Sequence, residues 1–139
     1  MVDPIQMFPR PLRQLLGPLG TSATGMSRQQ EFMEVISNNI ANANTTKGPD
    51  GKPYQREIAV AGIDPRTGAP TTTVVHDTSP DRLVLEPGNP DADANGYVHY
   101  PNVDLANEQV DLMIASRMHE ANATAFEAGK AMLHKALDI

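Results

Sequence analysis

Apolar residues recur along the last third of the chain at Val110, Ile114, Met118, Ala121, Ala125, Ala128, Met132, Ala136 and Ile139. Their steps of three and four average about 3.6 residues, so this stretch predicts a long α-helix with one apolar face. A second stripe, through Leu12, Leu15, Leu19, Met26, Met33, Ile36 and Ile40, lies closer to the 3.5-residue repeat of a coiled coil. The C-terminal helix is expected to begin near Asp104, whose carboxylate suits an N-cap, with Glu108 in the favourable first turn. Lys130, His134 and Lys135 complement the dipole at its other end. From Asp104 to Ile139 such a helix would run about 54 Å, about three times the mean for globular proteins.

The pattern divides the chain into four segments. Residues 1–18 carry Pro4, Pro9, Pro11 and Pro18, a density that precludes a regular helix and predicts an extended or partly helical arm. Residues 19–44 read as an N-terminal axial helix. Its first turns, Gly20-Thr21-Ser22-Ala23-Thr24-Gly25, are small enough for close backbone approach, although each glycine costs roughly 1 kcal/mol in a helix interior. Asn and Thr crowd its end, where their side chains compete for backbone hydrogen bonds. Residues 45–102 form a turn-rich insert with short strands expected at 54–61, 71–76, 82–85 and 97–100. Residues 103–139 are the C-terminal axial helix. The fold class is therefore mainly α with a small β insert, the long terminal helices making an antiparallel coiled-coil-like pair. One such pair cannot bury every apolar residue it carries. Met26, Met33, Ile36, Ile40, Val110, Ile114, Met118, Ala121, Ala125, Ala128, Met132 and Ile139 are expected to supply inter-helix and inter-subunit contacts. The inter-helix seam is expected to set Val110, Ile114, Ala121, Ala125 and Met132 against Met26, Met33, Ile36 and Ile40.

Composition narrows what such a shape can do. A chain of 139 residues makes one domain. Its net charge of −6, with basic residues scattered, argues against nucleic acid, because phosphate binding needs clustered Lys and Arg. Absence of cysteine removes disulfides, thiolate chemistry and Cys-based metal sites. No stretch approaches the ~20 apolar residues that span a bilayer. Met1-Val2-Asp3-Pro4-Ile5 has no cationic start followed by an apolar run, so no cleaved secretory signal is expected.

The one segment resembling a ligand site is Asp91-Ala92-Asp93-Ala94-Asn95-Gly96, which matches the first half of a calcium-binding loop. The twelfth position is Asn102 where a bidentate Glu is required, and Pro90 and Pro101 stand where that motif has helices. It reads instead as an acidic turn with Asn95-Gly96 at the bend, a small calcium module being the alternative. His76, His99, His119 and His134 show no metal spacing, and Gly51-Lys52 lacks the glycine a phosphate loop needs at position 46. No nucleophile motif or paired carboxylates emerge, so neither an enzyme nor a cofactor is expected. The seven methionines, Met26, Met33, Met113, Met118 and Met132 among them, read as helix packing at this spacing.

Ser37-Asn38-Asn39-Ile40-Ala41-Asn42-Ala43-Asn44-Thr45 resembles the signature near the N-terminus of the bacterial flagellar axial proteins. Asn38, Asn39, Ile40, Ala41, Asn42 and Asn44 carry that likeness. Gly48-Pro49-Asp50-Gly51-Lys52-Pro53-Tyr54-Gln55-Arg56, Leu85-Glu86-Pro87-Gly88-Asn89-Pro90-Asp91-Ala92-Asp93 and Gly96-Tyr97-Val98-His99-Tyr100-Pro101-Asn102-Val103 are similar to segments of the basal-body rod proteins, as are Ala115-Ser116-Arg117 and the last residues, Leu137-Asp138-Ile139. The resemblance covers about residues 20 to 139. It implies a structural subunit of the proximal rod, polymerising through its terminal helices and transmitting torque across the periplasm; another axial subunit is the alternative. It also implies other rod subunits, copies of itself, the membrane-ring base and rod adapter proteins as partners. Export would run through the flagellar type III apparatus without signal cleavage.

Overall fold

The computed structural model describes residues 10–138, and of residues 11, 12 and 15 only the backbone. The expected arm at 1–9, the side chains of Leu12 and Leu15, and Ile139 lie outside the described residues. Helix α1 spans Arg10–Ala41, strands β1 and β2 span Glu57–Ile63 and Pro70–His76, β3 and β4 span Arg82–Leu85 and Tyr97–Tyr100, and helix α2 spans Leu105–Leu137. Mainly helical, with a small β insert between two long helices, is the class the apolar pattern predicts.

The helix starts earlier than the proline count implies. Residues 10–18 are helical, with Pro18 inside α1. Pro11 lies in the first turn, where its missing N–H has no partner to lose. Pro18 does remove a bond to the carbonyl of residue 14, but Gly17 before it has no Cβ to clash with the ring. At the other end α1 stops in the asparagines: Asn42 turns both its backbone N–H and its Nδ2 onto the carbonyl of Asn38 (3.0 and 2.9 Å). Asp104 caps α2 as expected, its Oδ1 accepting from the N–H groups of Ala106 (2.9 Å) and Asn107 (3.3 Å).

The described chain divides into two compact units, one of residues 10–30 and 115–138, the other of residues 31–114. In the first, the helices run antiparallel and close together. A Cβ on Gly25 would stand 2.8 Å from the amide of Asn122, and one on Gly129 would stand 2.9 Å from Leu19. Gln29 is buried and its Nε2 reaches the sulfur of Met118 at 3.8 Å.

The second unit holds both sheets, each a two-stranded antiparallel hairpin. β1 pairs β2 from Glu57↔His76 to Ile63↔Pro70, and β3 pairs β4 from Arg82↔Tyr100 to Leu85↔Tyr97. The first expected strand begins three residues late, because the N–H groups of Tyr54 and Arg56 go to Thr45 O (3.0 Å) and Asn102 Oδ1 (2.8 Å) instead of a ladder. Val35, Ala43, Val98, Pro101 and Val103 are buried in this unit, together with Asn39 and Glu108. Its core is small and partly polar.

The intrachain seam on α2 does not follow the apolar stripe. Val110, Ile114, Met118, Ala121, Ala125, Ala128 and Met132 are exposed. Among the covered positions, Glu108, Leu112, Ala115, His119, Asn122, Phe126, Gly129 and Leu133 recur in alternating steps of four and three, the 3.5-residue repeat, with Ser116 and Ala123 half-buried beside them. Met26, Met33, Ile36 and Ile40 of α1 are half-buried. The covered face combines Leu112, Phe126 and Leu133 with the close approach at Gly129 and the buried Glu108.

Candidate functional site

Asparagine in the last turns of a helix is a poor helix former unless its side chain has work elsewhere. Asn39 does: its side chain is 0% exposed and uses its full hydrogen-bonding capacity. Nδ2 donates to the carbonyl of Glu57 (2.8 Å) and to Glu108 Oε2 (3.1 Å), while Oδ1 accepts from the N–H of Glu57 (2.9 Å) and the hydroxyl of Tyr54 (3.0 Å). The amide thus occupies the free edge of β1 as a neighbouring strand would, satisfying one residue's N–H and C=O together.

Glu108, 1% exposed, meets this amide from the first turn of α2. A buried carboxylate needs a cation and hydrogen bonds, and Arg56 supplies both, its Nε donating to Glu108 Oε1. The guanidinium also faces Asp77 (Nη1–Oδ2, 3.5 Å) and Asp111 (Nη2–Oδ2, 4.0 Å). That hydrogen bond to Glu108, opposed by partial burial, holds the Arg56 pKa above its ordinary value. Burial, then the charges of Glu57 and Glu108, push the Tyr54 hydroxyl up to about 12. Asp77 is held below the usual carboxylate range by the hydroxyl and N–H of Ser79, with Arg56 adding to the effect. Asn102 closes the ring, accepting from Arg56 N–H and donating to the carbonyls of Asp77 and Ser79 (both 3.1 Å).

This cluster fastens three parts of the second unit together: the end of α1, the strand entry at Arg56 and Glu57, and the start of α2. The buried carboxylate of Glu108 is paired with Arg56 and every side-chain oxygen of Asn39 and Glu108 has a hydrogen-bond partner, an arrangement suited to holding geometry. Glu108, read from sequence as a residue favoured by the helix dipole, is instead the centre of the network. Its place in the 3.5-residue repeat ending at Leu133 is the signal that would have found it.

The other signature residues divide the labour. Asn38 is exposed and gives its carbonyl to Asn42; Asn42 in turn accepts from the Thr45 hydroxyl (3.2 Å). Ile40 is half-buried, while Ala41 and Asn44 are exposed. In the acidic loop at 91–96, Asp91 accepts from the Thr46 hydroxyl (2.8 Å) and Asp93 from the N–H groups of Asn95 (2.8 Å) and Tyr97 (3.0 Å). Asp93 and Asp81 also flank the two ring nitrogens of His99, each at 3.4 Å. These bonds, the backbone N–H of Tyr97 foremost, hold the Asp93 pKa below its ordinary value. Gly96 turns the chain at φ +82°. The carboxylates are committed to folding the loop, and no group of three or more His, Cys, Asp or Glu among the described residues could hold a metal ion.

Two family models match, and they fall on the two elements this cluster joins. Residues 19–49 match the flagella basal body rod protein model, and residues 94–139 match the flagellar basal body rod FlgEFG protein C-terminal model. Curated relatives align over nearly their whole length. The flagellar basal-body rod protein FlgC of Salmonella typhimurium is 38% identical over 130 residues, covering 90% of this chain and 97% of the relative. FlgC of Bacillus subtilis is 36% identical over 142 residues (87% and 95%), and that of Borreliella burgdorferi 35% over 149 residues (90% and 97%). Signature, insert and C-terminal helix match together and in order: the chain belongs to the FlgC family of flagellar basal-body rod proteins.

Proposed function

We propose that this chain is a structural subunit of the proximal rod of the bacterial flagellar basal body, polymerising through its terminal helices and carrying torque across the periplasm. The observation that carries the reading is the exposed face of α2. Val110, Ile114, Met118, Ala121, Ala125, Ala128 and Met132 form one continuous stripe left uncovered within the chain. A stripe of that length on a single chain is an interface awaiting neighbours. Close-packed helices are stiff and transmit strain, which is the mechanical requirement of a shaft. Other rod subunits and further copies of this chain are the partners this face suits, with the membrane-ring base and adapter proteins at the rod's end. Among the described residues no helix is long and apolar enough to cross a membrane; export through the flagellar type III apparatus without signal cleavage fits the reading. Its role is structural and not enzymatic.

Ala125→Asp tests it. Ala125 is exposed in the chain, so the variant is expected to keep the helical circular dichroism of the parent. In an assembled rod the new carboxylate would be buried without a partner, costing several kcal/mol, and basal bodies should not form. A fully motile strain carrying Ala125→Asp would overturn the assignment.

A further inference from the structure

Asn95-Gly96, at the bend before β4, is the one Asn-Gly pair in the chain. The turn explains the glycine. Residue 96 sits at φ +82°, a region that L side chains rarely adopt, and a Cβ there would stand 3.2 Å from that of Pro87. A chemical liability comes with it. With no side chain on residue 96, nothing shields its nitrogen from the side-chain amide carbon of the asparagine before it. Asn95 is exposed, so water and hydroxide reach that amide.

The reaction open to such a pair needs no co-reactant beyond water. The Gly96 nitrogen gives up its proton and bonds to Asn95 Cγ. The Cγ–Nδ2 bond breaks, and the former amide nitrogen leaves as ammonia, carrying a proton with it. Water then opens the cyclic imide at either carbonyl, giving aspartate or an isoaspartyl linkage. The second product inserts an extra carbon into the main chain at the bend. Both add a negative charge to a loop that already holds Asp91 and Asp93.

The folded loop opposes the first step. The Gly96 N–H donates to the carbonyl of Asp93 (3.0 Å), which ties up the proton that must be lost. Asp93 Oδ1 accepts from the N–H groups on either side, those of Asn95 (2.8 Å) and Tyr97 (3.0 Å). The N–H of Asp93 in turn donates to the carbonyl of Tyr97 (2.8 Å). Bringing the Gly96 nitrogen onto Cγ means rotating the main chain at Asn95, which these four bonds resist. We infer that Asn95-Gly96 is a site of spontaneous backbone modification by succinimide formation, kept closed in the folded chain by Asp93. The acidic turn that matches half a calcium loop is thus a latch over a reactive peptide bond.

The test follows the conversion of Asn95 to aspartate and isoaspartate by peptide mass spectrometry. Full-length protein is incubated at mildly alkaline pH, either folded or in guanidinium chloride. Conversion at residue 95 is expected to be at least about tenfold slower in the folded chain, because the loop must open first. Asp93→Ala removes the acceptor that holds both flanking N–H groups, and should raise the folded-state rate several-fold. Equal rates in the folded and unfolded parent overturn the inference, as does an unfolded parent that leaves Asn95 intact. An Asp93→Ala chain with the parent's circular dichroism and the parent's rate overturns the role of Asp93. Should that variant lose the parent's circular dichroism, hydrogen exchange at the Gly96 amide of the parent decides, and protection below about tenfold overturns the closed loop.

Discussion

Asn39 shows how much one side chain can decide. Its amide has four hydrogen-bonding positions and four partners on three segments, so truncation orphans several buried groups at once. Asn39→Ala is expected to destabilise the chain by about 3 kcal/mol, because each buried donor or acceptor left unmatched costs about 1–3 kcal/mol. Urea denaturation with an unchanged slope would measure this, and a loss under about 1 kcal/mol would mean the cluster is dispensable. The same cluster predicts a loss of stability at alkaline pH. Tyr54 is raised to about 12 when folded against about 10 unfolded, so the folded state holds that proton more tightly. Stability from this source is whole below about pH 10 and drains away towards pH 12. Asp77 and Asp93 are lowered, so their contribution is whole above about pH 4 and is lost as acid protonates them. Denaturation midpoints across pH should form a plateau between these limits, and Tyr54→Phe should flatten the alkaline fall while lowering the plateau.

At the scale of elements, the sequence announced the helices and hid their contacts. Periodicity located α2 within a residue or two, and Asp104 marked its start, because an N-cap is a local device with a local signature. The strands at 82–85 and 97–100 were legible for the same reason. The seam was not. Apolar identity drew attention to Val110, Ile114 and Met132, yet within the chain α2 turns Glu108, Asn122 and Gly129 inward, residues whose burial depends on partners distant in sequence. Proline misled in the opposite sense, since a first-turn Pro11 and a Pro18 preceded by glycine are both compatible with α1. Gly25 offers a check on the seam. A larger side chain there must displace Asn122, whose Nδ2 lies 2.8 Å from the position a Cβ would take. Gly25→Val is therefore expected to lower the thermal midpoint of helical circular dichroism by several degrees, overpacking costing about 1–3 kcal/mol. A higher midpoint would show that the helices are not in close approach at this point.

For the whole molecule, the division into two units predicts uneven stability. Buried side chains are concentrated between residues 31 and 114, while the other unit buries only Gln29 and Ala115 among the described residues. Regions with few buried contacts open at low free-energy cost. Hydrogen exchange on the dilute chain should find amides at 10–30 and 115–138 exchanging faster than those at 31–41 and 105–114, and equal protection throughout would contradict the need for neighbours. Family membership was readable because several segments recur in order; the clamp around Glu108 was not, because it exists only once residues 39, 56 and 108 are brought together. That clamp grips the insert at two consecutive residues, Arg56 through α2 and Glu57 through α1. The first hairpin is thus held at its base, by this dipeptide on one strand and by Asn102 at Asp77 after the other. Its tip at 64–69 lies beyond that anchorage, so a change of length or charge there is expected to leave the clamp around Glu108 intact.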